Sequence, residues 1–128
     1  MLLSGKKYLT AIYRLKQQGG RVRSVEVARY LGYTRPSVCR VISAFEHDGY
    51  LFREKGGILT LTKEGNDLAG RIVRRQDTIA GFLSLTCGVD KRDVLSEAVA
   101  MEEYISDDTF RGMKSFVSEA GNTMGGCC

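Results

Sequence analysis

Gly32-Tyr33-Thr34-Arg35-Pro36-Ser37-Val38-Cys39-Arg40-Val41-Ile42-Ser43-Ala44-Phe45-Glu46-His47-Asp48-Gly49-Tyr50 is the stretch on which the reading of this chain turns. Thr34 is an N-cap residue, because its hydroxyl can accept a bond from an orphan N–H of a first helical turn. Pro36 follows inside that turn, where a missing donor costs little. Val38, Val41, Ile42 and Phe45 recur at i, i+3, i+4 and i+7 and form one apolar stripe. Gly49 supplies a left-handed stop. With the stripe turned inward, Pro36, Arg40, Ser43 and His47 point outward, with Ser37 and Ala44 beside them. Such a face is small, hydroxylated and cationic. It suits close approach to a DNA groove and offers Arg40 for a bidentate guanine contact. The plainer alternative is an ordinary amphipathic surface helix, so the flanks have to decide.

Upstream, residues 6–17 read as a helix with Tyr8, Leu9, Ile12, Tyr13 and Leu15 on its apolar side and Gly19-Gly20 as its stop. Arg21-Val22-Arg23 is an extended link. Ser24 is placed to cap a helix over residues 25–31, which Gly32 ends. The short gap to Thr34 makes this helix and the next a helix-turn-helix. Arg23 and Ser24 then stand at a helix N-terminus, where a cation and free N–H groups favour a phosphate. Downstream, residues 50–55 and 58–62 read as two strands around Gly56-Gly57, a pair that fits a two-residue hairpin turn. A hairpin in that place is a wing, with Arg53 and Lys55 near its tip for phosphate contacts.

The rest of the chain reads as three helices. Thr62 caps residues 63–85, with Leu68, Ile72, Ile79, Phe82 and Leu83 as the stripe and Gln76 lying on it. Asp90 caps residues 91–105, and Ser106 caps residues 107–118. Glu102 borders the buried side of the second of these helices, where an isolated carboxylate is expensive. Glu102 and the adjacent Glu103 fit either of two roles: ligands for a hard cation, or partners of Arg74 or Arg75. Residues 119–128 are glycine-rich, end in Cys127-Cys128, and read as a flexible tail. The organisation expected is a winged-helix domain over 1–63, a helical dimerisation domain over 64–118, and that tail: a mainly α fold with one small β-hairpin. Dimerisation is expected because a single small winged helix reads little DNA, whereas paired half-sites need two-fold symmetry.

Charge supports the division. The chain has 128 residues and a net charge of +4. Residues 1–63 carry 12 Lys/Arg against 4 Asp/Glu, whereas 64–128 carry 7 against 11. A basic half joined to an acidic half points to a polyanion reader attached to a module with another task. No apolar run reaches the roughly 20 residues of a membrane span, and no signal peptide is read. The four cysteines have no zinc-finger spacing and fit a reducing cytoplasm. No nucleophile–base arrangement, phosphate loop or metal-hydrolase motif marks an enzyme. The competing reading is a winged-helix protein-interaction module without DNA.

Several of these segments resemble the diphtheria-toxin-repressor and manganese-transport-regulator family. They are Tyr8-Leu9-Thr10-Ala11-Ile12-Tyr13, Val27-Ala28-Arg29-Tyr30-Leu31, Pro36-Ser37-Val38, the Gly49-Tyr50-Leu51 exit and Leu61-Thr62-Lys63-Glu64-Gly65. The likeness runs from about Lys6 to Phe116 and includes Met101-Glu102 and Ser106. It implies a dimeric winged-helix repressor in its two-domain form, with a second domain that binds Mn²⁺ or Fe²⁺ and dimerises. Carried over by position, Thr34, Arg35, Pro36, Ser37, Cys39 and Arg40 match the residues with which the family reads DNA. The metal ligands do not carry over. Lys7 and Thr10 stand at two ligand positions of the first helix, Gln76 replaces a His, and Val99 replaces a Cys or Glu. Glu102 matches a ligand, and Glu103 stands where His is expected. The sequence therefore argues against the usual metal switch. A Lys7 ammonium paired with Glu102 or Glu103 is one way the missing cation would be replaced; a thiol switch at Cys39 is another form of regulation.

Overall fold

A computed structural model describes residues 3–127, with side chains over 5–121. Its elements run α1 (Leu3–Gln17), α2 (Ser24–Leu31), α3 (Arg35–His47), β1 (Leu51–Arg53), β2 (Leu59–Leu61), α4 (Lys63–Thr86), α5 (Lys91–Glu102) and α6 (Asp107–Cys127). The chain divides into two compact units, Met1–Val73 and Arg74–Cys128. The mainly helical fold with one antiparallel hairpin is the one expected.

The first unit is built around α3. Val38 and Ile42 are fully buried and Phe45 nearly so, packed with Leu9 and Ile12 of α1, Val27 and Ala28 of α2, and Leu51 and Leu59 of the hairpin. Thr34 caps α3, accepting from the Ser37 N–H at 3.4 Å and donating to Ser37 Oγ at 2.8 Å. At the other end, Gly49 has φ +86° and the Tyr50 N–H returns to the Phe45 carbonyl at 2.9 Å. That bond satisfies an orphan carbonyl of the last turn. The cap of α2 differs from expectation. Ser24 is already helical, and the N-cap is Arg23, whose backbone N–H donates to the Glu26 carboxylate at 3.1 Å. Glu26 reaching back removes the need for a hydroxyl at the cap.

The hairpin pairs Leu51 with Leu61, Phe52 with Thr60 and Arg53 with Leu59. Its loop is longer than the two-residue turn expected. The Glu54 N–H donates to the Ile58 carbonyl at 2.7 Å, so Lys55, Gly56 and Gly57 form a three-residue loop. Both glycines take positive φ, +84° and +79°. Val22 accepts from the Leu59 N–H at 2.8 Å, which ties the wing to the entry of α2.

α4 starts in the first unit. Thr62 caps it, accepting from Gly65 N–H at 3.1 Å while donating to the Gly49 carbonyl at 2.6 Å. Leu68 and Ala69 join the α1–α3 core. The compact unit therefore ends at Val73, eleven residues into the helix expected to begin a second domain at 64. The second unit has its own core of Ile79, Leu83, Val94, Ala98 and Met113. Asp90 caps α5, and the Arg92 N–H and guanidinium hold its carboxyl below the usual carboxylate range. α5 ends at Glu102, three residues short of expectation, where the Tyr104 N–H turns back only three residues to the Met101 carbonyl at 3.0 Å. Ser106 then caps α6 through the Thr109 N–H at 3.1 Å. α6 continues to Cys127, past the expected end at Ser118. No proline interrupts residues 119–127, and each glycine weakens a helix by only about 1 kcal/mol. The Cys127 side chain and all of Cys128 lie outside the described residues.

Candidate functional site

Two groups of side chains carry the chemistry, one in each unit. In the first unit, Arg35, Pro36, Arg40, Ser43, Ala44 and His47 are exposed along one side of α3, opposite the buried Val38–Ile42–Phe45 stripe. Ser37 and Cys39 are half-buried on its flanks. Thr34 is exposed at the helix start. The face is free of carboxylates from Thr34 to Phe45, which leaves Arg35 and Arg40 uncompensated for an anionic partner. Lys55 is exposed in the wing loop. The Arg23 guanidinium lies beside Gly56 in the same loop, so a cation from the entry of α2 reaches the wing.

Arg53, expected to serve near the wing tip, is exposed at the end of β1 and also makes contacts within the first unit. Its Nη2 donates to Ser43 Oγ at 3.0 Å, its backbone N–H donates to Glu46 Oε2 at 3.2 Å, and its Nε lies 3.8 Å from Glu46 Oε1. Arg53 thus fastens β1 to the C-terminal half of α3. The sequence showed no sign of this contact, because Ser43 and Arg53 meet only once the hairpin folds back. A cleft of about 410 Å³ opens at the other end of α3, lined by Lys7, Tyr8, Gly32, Tyr33, Thr34 and Ser37. The Tyr8 and Tyr33 rings meet there at 5.6 Å.

In the second unit, Glu102 is buried, its side chain 5% exposed, and Oε1 lies 3.5 Å from Nε of Arg75. Of the two arginines offered by the sequence, Arg75 is the one ion-paired here, and Arg74 is exposed. Arg75 also reaches Asp107 Oδ1 through Nη1 at 3.4 Å. Its guanidinium carbon stacks over the Phe110 ring, 4.3 Å from the centroid. One cation from α4 therefore meets the last residue of α5 and two residues of α6. Asp107 and Phe110 lie in the helix expected over residues 107–118, and nothing in the sequence placed them beside Arg75.

A winged helix-turn-helix with a cationic recognition helix, followed by a separate helical unit, defines a class: the two-unit winged-helix transcriptional regulators. The comparisons specify which. Residues 62–123 match the iron dependent repressor, metal binding and dimerisation domain. The HTH-type transcriptional regulator MntR of Lysinibacillus sphaericus is 31% identical over 103 residues, covering 80% of this chain and 73% of the relative. MntR of Bacillus subtilis is 29% identical over 103 residues, covering 80% and 72%. The crystal structure of T. acidophilum IdeR matches with a TM-score of 0.82 at 23% identity, over 88% of this chain and 53% of that one. The chain spans about half the length of that structure. The chain belongs to the diphtheria-toxin-repressor and manganese-transport-regulator family of DNA-binding transcriptional regulators.

The matched domain is described as metal binding, and the residues present here do not fit that role. Lys7 carries an exposed ammonium. The Thr10 hydroxyl donates to the Lys6 carbonyl at 2.7 Å. Val99 has no donor atom. Gln76 is a buried neutral amide, and Glu102 already faces a guanidinium. Glu103 is half-buried at the end of α5. Among the described residues no group of three or more His, Cys, Asp or Glu gathers in one place.

Proposed function

We propose that this chain is a homodimeric transcriptional repressor whose binding to double-stranded DNA does not depend on Mn²⁺ or Fe²⁺. The first unit reads the duplex and the second dimerises. Arg40 takes a base edge in the major groove, and Thr34, Arg35, Pro36, Ser37 and Cys39 line the approach to it. Arg23, Ser24 and Lys55 hold phosphates on either side. The protein is a regulator and not an enzyme. Among the described residues no helix is long and apolar enough to cross a membrane, and the protein works in the cytoplasm, where its thiols stay reduced. The observation that carries the metal-independent part is the guanidinium at Glu102, the one ligand position the sequence retains.

Fluorescence anisotropy with the DNA upstream of its own gene tests this. The expected result is tight binding that is equal with Mn²⁺, with Fe²⁺ and with excess chelator. Binding that appears only with metal would overturn the reading. The affinity should also fall steeply with salt, by about 0.9 log units per log unit of salt for each phosphate engaged. A flat salt response would instead favour a protein partner.

Arg53 acts as a strut in this scheme. Arg53→Met is expected to weaken binding several-fold with an unchanged salt slope, because it loosens the wing without removing a phosphate contact. Lys55→Met is expected to reduce the slope by about 1 for each wing in contact. Titrations at four or five salt concentrations separate the two. Equal loss of slope in both variants would return Arg53 to the phosphate-binding set.

A further inference from the structure

We infer that Arg75 is a resident cation that does in the second unit the work for which the family's domain is described as binding a metal. The inference rests on the metal-independent reading above and names its physical basis. A divalent ion in a helical unit would do two things: it would neutralise buried carboxylate charge and cross-link neighbouring helices through their polar side chains. Arg75 does both. It neutralises Glu102, which is buried at the end of α5. It reaches Asp107 at the start of α6, and it lies over Phe110 one turn further on. Three helices are thus joined through one group.

A guanidinium suits this place. Its planar fork offers donors to two carboxylates at once while the flat face stacks on an aromatic ring. Removing it would take a positive charge from beside the buried Glu102 carboxylate, which is unfavourable. The decisive difference from a metal lies in the covalent link. A bound ion comes and goes with its concentration, whereas Arg75 is present whenever the chain is folded. The equilibrium that a free ion would shift is therefore set permanently towards one state.

The test uses the full-length dimer and a duplex enriched by the wild-type protein from a random library. Arg75→Ala removes a guanidinium that lies 3.5 Å from Glu102 and 3.4 Å from Asp107. It is expected to lose about tenfold in affinity under chelator and to regain most of that with millimolar Mn²⁺. Arg75→Lys, which keeps the charge, is expected to stay within about threefold of wild type and to ignore Mn²⁺. If Arg75→Ala fails to fold by circular dichroism, Arg75→Gln, uncharged but nearly as long, is read in its place. A merely structural arginine would give neither recovery by a metal nor recovery by lysine.

Unchanged affinity on losing the charge, or a loss that neither Mn²⁺ nor lysine repairs, would overturn the inference. Its failure is separable from failure of the proposed function. A wild-type protein that needs metal sinks the earlier reading before any variant is made. A wild-type protein blind to chelator, with an equally tight Arg75→Ala, sinks only this one.

Discussion

Gly65→Ala will unfold the first unit or lower its stability by about 3–5 kcal/mol. The residue lies in the first turn of α4, and a Cβ built there overlaps the Tyr50 carbonyl oxygen and falls 2.9 Å from its carbon. Both are backbone atoms, so no side-chain rotation relieves the overlap. That carbonyl also accepts the Thr62 N–H at 3.0 Å, and Thr62 in turn donates to Gly49. Moving it disturbs the exit of α3, the root of β1 and the cap of α4 together. Because φ is not in the left-handed region here, the effect is one of space and not of backbone preference. Urea denaturation followed by circular dichroism measures it. Gly112→Ala is the control, since a Cβ there meets nothing within 4 Å. A Gly65→Ala protein within 1 kcal/mol of wild type would mean that α4 does not approach Tyr50 this closely.

Arg40→Ala is expected to lower specific affinity by about 10- to 100-fold, or about 1–3 kcal/mol, and to relax the preference for guanine at one position per half-site. Arg40 is the exposed cation nearest the middle of α3, with no acidic neighbour among the helix positions three or four residues away. Its fork is therefore available to the O6 and N7 acceptors of a guanine. Arg35→Ala should differ in kind, weakening all sequences alike, because the first residue of the helix lies nearer the backbone. Competition against a library randomised one base pair at a time distinguishes the two. If Arg40→Ala weakened every duplex equally, Arg40 would be a phosphate contact.

The parts of this fold that were legible in the sequence are those fixed by residues close in the chain. Thr34 and Gly49 frame α3 through bonds to Ser37 and from Tyr50 to Phe45, all within five residues. The stripe of Val38, Ile42 and Phe45 is a local period. The hairpin loop was misjudged because Gly56-Gly57 permits two- and three-residue turns alike, and the register is decided by burying Leu51 and Leu59. The end of α5 was misplaced because Ile105 continues the apolar period, and no glycine or proline marks the turn at Glu103. Of the functional face, the outward positions followed from the inward ones. Arg53 did not, since its partners lie on another element. Of the cations the sequence offered Glu102, Arg74 and Arg75 are adjacent in the chain, and only the phase of α4 chose Arg75 over Arg74.

The position of Val73 as the edge of the first unit bears on how such readers can be recombined. Modules are usually exchanged by cutting in loops, and the loop here lies before α4. A cut there would strip Leu68 and Ala69 from the interior that α1 to α3 share. The transferable piece is 1–73, which carries the first three turns of a helix that continues beyond it. Any partner joined to this reader, by natural gene fusion or at the bench, must begin as a helix.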